Sequence, residues 1–281
     1  MTGFFVDFFS FSFLLRALIG GSLVALCASL LGTSLVLTRY AMIGDGLSHV
    51  AFGALAVAVA FSTSPLLVSL PVVMAAAFLL LRLSSSGRLR GDAAIAMLSS
   101  ASMAVGVIVI SLTKGMNTDL YSFMFGSILS MTRGDLTMAV ALSLAVALIF
   151  VFSYNKLFAV TFDENFARAS GIGAGLWNGL LAVLASVTIV LGMRMMGAIL
   201  IASLIIFPPL SAMRLCGSFK GVTMVSALSS LVCFATGLFL SYGLDLPSGP
   251  VIVLVNAGCF LLFSLIRFLR RAQDRRSLLK R

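Results

Sequence analysis

Charge is scarce in this 281-residue chain. Only 10% of its residues are Asp, Glu, Lys or Arg, against roughly 25% in a soluble domain. Acid is scarcest, with 9 Asp and Glu against 19 Lys and Arg and a single glutamate, Glu164. Histidine occurs once, as His49. The four cysteines, Cys27, Cys216, Cys233 and Cys259, form no CxxC pair and sit in apolar runs. They read as small buried hydrophobes, which excludes a disulfide scaffold. No GxxxxGK[ST] and no HExxH occurs, so the chain has neither a P-loop nor a zinc-protease helix. What is abundant is apolar surface: 60% hydrophobic residues and a mean hydropathy of +1.16. A soluble globule of this size cannot enclose that much, nor would a disordered chain carry it. Lipid is the solvent for most of the molecule.

A membrane-spanning helix needs about 20 apolar residues. Such runs fall at about 13–37, 42–62, 65–82, 93–113, 136–153, 175–193, 195–214, 222–242 and 249–267. The pair meeting at Gly192-Met193-Arg194 has so short a connection that the count is eight or nine. The stretch 119–131 is too short to span and reads as an interfacial or re-entrant helix. The expected fold is therefore all-α: a polytopic membrane protein of eight or nine transmembrane helices with a short interfacial helix. Residues 1–281 form one transmembrane domain, because the loops leave no room for a second. No basic residue precedes Arg16 and no clear cleavage site follows the first apolar run, so that run reads as retained rather than as a signal peptide.

Positive charge orients the chain. A basic tail at about 267–281 holds Arg267, Arg270, Arg271, Arg275, Arg276, Lys280 and Arg281. With nine spans and this tail in the cytoplasm, 15 of the 19 basic residues fall inside. Only Arg16, Lys114, Arg133 and Arg194 remain outside, as the positive-inside rule requires. The tail has no nucleic-acid motif beside it and reads as a segment held at anionic lipid headgroups, not as a nucleic-acid contact.

Ionisable groups inside a bilayer cost about 2.5–3.5 kcal/mol each by insertion scales and mark function by default. Asp45 and His49 are the one non-basic ionisable pair within an apolar stretch. Their i, i+4 spacing puts both on one helix face, with Cβ atoms about 5–6 Å apart. The residues admit three readings: an oxygen and a nitrogen ligand for a divalent metal, a structural pair with Asp45 capping the helix, or a proton relay. Two ligands hold a divalent ion poorly; a symmetric dimer would supply two nitrogens and two oxygens. Gly44, Gly46, Ser48 and Gly53 would let neighbouring helices approach closely.

Other signals are weaker. Pro208 and Pro209 interrupt span seven, either as a pathway-lining break or as a structural kink. Met193, Met195 and Met196 suggest copper(I) ligation or, more plainly, core packing. Asp92 reads as a helix cap, and Asp119, Asp135 and Asp245 as solvated charges of outer loops. Residues 163–171 stand out among the cytoplasmic loops. Asp163 and Glu164 open a short helix, Arg168 lies within it and Gly171 closes it. Phe166 and Ala167 would form an apolar knob suited to a groove in another protein; the alternative is a helix lying on the membrane surface.

Together these segments resemble the permease subunits of bacterial zinc and manganese uptake ABC transporters, the ABC-3 family. The resemblance covers nearly the whole chain. Arg39-Tyr-Ala-Met-Ile-Gly-Asp-Gly-Leu-Ser-His is similar to the family's R-x-S-x-x-G-D-x-L-S/A-H stretch. Gly197-Ala-Ile-Leu-Ile-Ala-Ser-Leu-Ile-Ile-Phe-Pro-Pro, Asp119-Leu-Tyr-Ser-Phe-Met-Phe-Gly and Pro247-Ser-Gly-Pro match further family segments in order. The resemblance implies a bacterial inner-membrane channel, dimeric with a second copy or a paralogue. Two cytoplasmic ATPase subunits would drive it and an extracytoplasmic metal-binding protein would feed it. Asp45 and His49 would contact the ion in the pathway, and residues 163–171 would be the coupling helix. It implies no enzyme activity and no permanently bound cofactor, only a transported divalent metal. Zinc is favoured over manganese or iron on the imidazole, although Ser99-Ser100 stand where some zinc members carry a second histidine. A proton- or sodium-coupled metal carrier is the other class the residues allow. The resemblance also places the Asp45–His49 pair deeper than the span limits do, implying that span two starts earlier or tilts.

Overall fold

The computed structural model describes residues 10–38, 40–85, 91–113, 126 and 128–278. Nine helices among them are long and apolar enough to cross a membrane. They are α1 (Ser12–Leu37), α2 (Ile43–Ala60), α3 (Pro65–Ser85), α4 (Gly91–Leu112), α5 (Arg133–Phe152), α8 (Ala174–Met196), α9 (Ala198–Leu215), α10 (Phe219–Leu244) and α11 (Ser248–Leu278). Between α5 and α8 run two short helices, α6 (Tyr154–Phe162) and α7 (Glu164–Ala169). No strand occurs among the described residues, so the fold is all-α as expected.

Local chemistry sets the boundaries. Thr132 and Asp135 form a reciprocal capping box at the start of α5: the Thr132 hydroxyl accepts from the Asp135 amide at 3.2 Å, and the Asp135 carboxylate accepts from the Thr132 amide at 3.1 Å. The Ser218 hydroxyl caps α10 by accepting from the Gly221 amide at 3.2 Å. Spans six and seven part at Gly197, whose φ of +88° L side chains rarely adopt. Helix α8 therefore continues through Arg194 to Met196, past the join expected at Gly192-Met193-Arg194. The backbone of Met196 and Gly197 sits against Gly126, where a Cβ would collide. Of the short helix expected at 119–131, residues 119–125 and 127 lie outside the described residues. Ile128–Ser130 form a 3-10 turn, with Ile128 buried against Gly21 of α1.

Helices α1 and α10 run antiparallel with matched ends. Ser230 donates to the Ala25 carbonyl at 2.9 Å, Ser226 reaches the Ser29 carbonyl at 3.4 Å, and Phe234 packs over Gly21. All three pairs share one register, which sets Leu37 level with the start of α10. In lipid the helices gain little from apolar burial itself, so small residues at contacts and interhelical hydrogen bonds hold them.

The paired prolines lie inside α9, which stays helical from Ala198 to Leu215. Pro209 has no amide to offer the Ile205 carbonyl. That oxygen sits instead against Gly32 of α1, in space a Cβ would occupy. Both prolines are buried. The core centres on α1, α2, α8 and α9, with Leu47, Phe52, Ile189, Met193 and Ile201 inside it. All three methionines, Met193, Met195 and Met196, are core residues.

Candidate functional site

Asp45 and His49 both lie on α2, the most enclosed span. Asp45 occupies its first turn, where a carboxylate favours the positive end of the helix dipole. It is not the cap: Met42 holds that position and no side chain caps it. The Ser48 hydroxyl donates to the Asp45 backbone carbonyl at 2.7 Å. Asp45 Oδ1 and His49 Nε2 stand 3.7 Å apart, near but beyond hydrogen-bond length. Their side chains are 44% and 24% exposed, so the pair opens outward from a single protomer. Among the described residues no group of three or more His, Cys, Asp or Glu could hold a metal.

Depth follows from helix contacts. Gly44 packs against the side chain of Ile205, whose carbonyl packs against Gly32. Gly32 is five residues from the end of α1, about 7.5 Å at the helical rise. The first turn of α2 therefore starts about 7.5 Å short of the end of α1, and His49 lies a further five residues on, about 15 Å from that end. The span does not start earlier than expected. It starts at Ile43, one residue later, but from a raised position.

Helix α4 borders the pair. Gly46 meets Ile95 and Gly53 meets the Ser102 carbonyl, a constant offset of 49 residues between parallel helices. His49 is thus level with Leu98, beside Ser99 and Ser100. Ala96, Ser100 and Ala104, spaced i, i+4, are all exposed on α4. By contrast α11 exposes Leu254, Leu261, Leu265 and Phe268.

On the basic side, Asp163 caps α7, its carboxylate accepting from the Phe166 amide at 2.9 Å. Glu164 and Arg168 form an i, i+4 ion pair. Phe166 projects, 63% exposed. Ala167 does not share the knob expected of it. It is buried with Val160 and Ala174, because its small side chain lets α7 lie against α6 and α8. Helix α6 is not among the expected elements; Ser153, Asn155 and Lys156 interrupt the apolar sequence before its Leu157–Val160 run. A cavity of about 580 Å³ with mixed walls lies between α3, α7 and α8; Phe78 and Leu81 form apolar parts of it, and Tyr40, Arg82, Glu164, Arg168 and Asn178 the polar ones. Tyr40 stands five residues before Asp45, so this cavity joins α7 to the turn that carries the pair. Tyr40 and Asn178 went unnoticed in the sequence, although Tyr40 lies inside the Arg39–His49 stretch.

On the opposite side Asp135 is not the solvated charge expected. It is part of the capping box and stands 3.6 Å from Arg194 of α8. Asp245 is an exposed residue with φ +52° ending α10, while Asp119 lies outside the described residues.

The family model for the ABC 3 transport family matches residues 10–267. The chain belongs to the ABC 3 transport family. A Thermotoga maritima relative, "Probable metal transport system membrane protein", is 35% identical over 260 residues, covering 92% of this chain and 91% of its own. "Manganese transport system membrane protein MntC" of Halalkalibacterium halodurans is 29% identical over 262 residues, covering 93% and 90%. Among solved structures, PsaBC from Streptococcus pneumoniae in complex with Fab superposes with a TM-score of 0.83 at 27% identity, covering 93% of this chain and 94% of that one. These ABC 3 relatives are membrane subunits of transport systems, not enzymes. With nine apolar helices among its described residues, this ABC 3 chain is a multi-pass protein of the bacterial inner membrane.

Proposed function

We propose that this chain is the permease subunit of an ATP-driven importer of divalent metal ions. The carrying observation is the Asp45–His49 pair, half-open on the most enclosed of the apolar helices. A carboxylate and an imidazole left facing lipid would be costly. The face they open onto, bordered by the small residues of α4, suits a second copy of the chain, which would complete four ligands. With nine spans, the positive-inside rule puts the basic side in the cytoplasm. Residues 1–281 then form one permease domain, with residues 163–171 as the coupling helix and the tail at 267–281 inside.

ATP hydrolysis would belong to separate subunits, since this chain has no P-loop. Asp163, Glu164, Phe166 and Arg168 present the contact for them, and the cavity at Tyr40 links that contact to α2. Pro208 and Pro209 lie in the helix that packs on both α1 and α2, where a rearranging backbone would border the pathway. An extracytoplasmic metal-binding protein would deliver the ion.

Manganese is the proposed cargo, on the names borne by relatives such as MntC of Halalkalibacterium halodurans and on the hard carboxylate oxygen of Asp45. Zinc is the second reading, favoured by the imidazole of His49 and the order of intrinsic affinities. The experiment is uptake of radiolabelled metal into proteoliposomes holding the permease, its ATPase and its binding protein. ATP-dependent manganese entry that excess zinc fails to match supports the first reading. Entry of zinc alone supports the second. Uptake driven by a proton or sodium gradient without ATP would overturn both.

A further inference from the structure

A crevice that shares no lining residue with the Asp45–His49 pair opens between α1, α5, α6 and α10 and holds about 510 Å³. Its walls are graded along the membrane normal. Leu30, Val151 and Met224 form the apolar part, while Tyr154, Asn155 and Lys220 stand at the basic side. The shared register of α1 and α10 sets Lys220 level with Leu35, near the end of α1.

The neighbouring cations are engaged. Lys156 lies 5.0 Å over the Trp177 ring, Arg214 lies 5.0 Å over the Phe260 ring, and Arg168 pairs with Glu164. Lys220 forms no ion pair among the described residues. Its ammonium therefore stands free at the polar mouth of an otherwise apolar cleft.

We infer that this crevice binds an anionic glycerophospholipid of the inner leaflet, with its phosphate at Lys220 and an acyl chain along Leu30, Val151 and Met224. The Tyr154 hydroxyl and the Asn155 amide supply further hydrogen-bond donors for phosphate oxygens. A zwitterionic headgroup brings its own ammonium to compete with Lys220, so charge selects the lipid. Free phosphate shares the headgroup's chemistry but leaves the apolar walls uncovered. The inference rests on the orientation given above, not on the metal reading.

The test uses the full-length permease in detergent, titrated separately with phosphatidylglycerol, phosphatidylcholine and glycerol 3-phosphate. Native mass spectrometry counts the adducts and a melting curve reads stabilisation. Phosphatidylglycerol is expected to bind and raise the Tm, with phosphatidylcholine weaker and glycerol 3-phosphate inert. Lys220→Glu should weaken phosphatidylglycerol roughly fivefold to tenfold, the scale of one lysine at an anionic surface. Lys220→Arg should retain it, as should Arg270→Glu in the tail. Met224→Trp, which fills the crevice from its exposed rim, should block the adduct and decides the matter if Lys220→Glu does not fold. Equal binding of both lipids, undiminished binding by Lys220→Glu or Met224→Trp, or glycerol 3-phosphate acting as well as lipid would each overturn the site. No readout involves metal, so failure here leaves the importer reading standing, and failed uptake leaves the lipid site standing.

Discussion

The Ile205 carbonyl, deprived of an amide donor by Pro209, rests against Gly32 of the neighbouring helix. The proline and the glycine are thus two halves of one contact: one frees a carbonyl, the other gives it room. A weak Cα–H···O interaction suits such an approach. The same isoleucine packs its side chain on Gly44, next to Asp45.

Gly32→Ala should destabilise the permease by about 1–3 kcal/mol, since the added methyl meets backbone, which cannot rotate away. Gly217→Ala, at a glycine with open space around it, should be neutral by comparison. Melting curves of the two variants in detergent check this.

Asp45→Ala and His49→Ala should each abolish metal uptake while membrane insertion stays normal. Each change halves the ligand set of a dimer, and removing an intramembrane ionisable group eases insertion. Normal uptake at normal expression would remove the pair from the pathway.

Phe166→Asp should release the ATPase without disturbing metal binding. An apolar anchor at an interface centre often carries about 2 kcal/mol or more, and a buried aspartate adds desolvation cost. Co-purification of the ATPase is the measurement; undiminished recovery would mean that α7 is not the contact.

Ser100→Cys should cross-link two permease copies on oxidation, because Ser100 lies in the exposed small-residue stripe of α4 beside Asp45 and His49. Leu261→Cys, on the leucine-rich face of α11, should not. Dimer bands on a non-reducing gel give the answer, and the reverse pattern would move the second copy to another face.

Asp135→Ala should cost more than Arg194→Ala. The aspartate loses both its capping interaction, about 1 kcal/mol, and its ion pair, whereas the partly exposed arginine loses only a pair worth about 0.2–1 kcal/mol. A double-mutant cycle on the melting transition separates the two terms.

The spans were legible because a bilayer demands long apolar runs and this chain supplies them with little interruption. Asp45 and His49 were legible for the complementary reason that almost nothing else ionisable shares those runs. Their depth was not, because it depends on Ile205, a residue some 160 positions away, meeting Gly44 and Gly32 at once. The break expected at Gly192–Arg194 falls instead at Gly197, because apolar runs mark the spans but not the positive φ that separates them, and Arg194 stays in α8 with Asp135 beside it. Ala167 looked like part of a projecting knob because sequence shows hydrophobicity but not which side of a six-residue helix a neighbour covers.

The raised start of α2 has a bearing on release. Below the Asp45 carboxylate, on the basic side, α2 supplies no helix; the chain there is the short turn around Tyr40 and Met42. A turn can swing by rotating a few backbone torsions, whereas opening a helix would break a ladder of hydrogen bonds. On the importer reading, an inner door along α2 would therefore be a hinge with one large aromatic leaf, Tyr40, which lines the same cavity as Glu164 and Arg168 of α7.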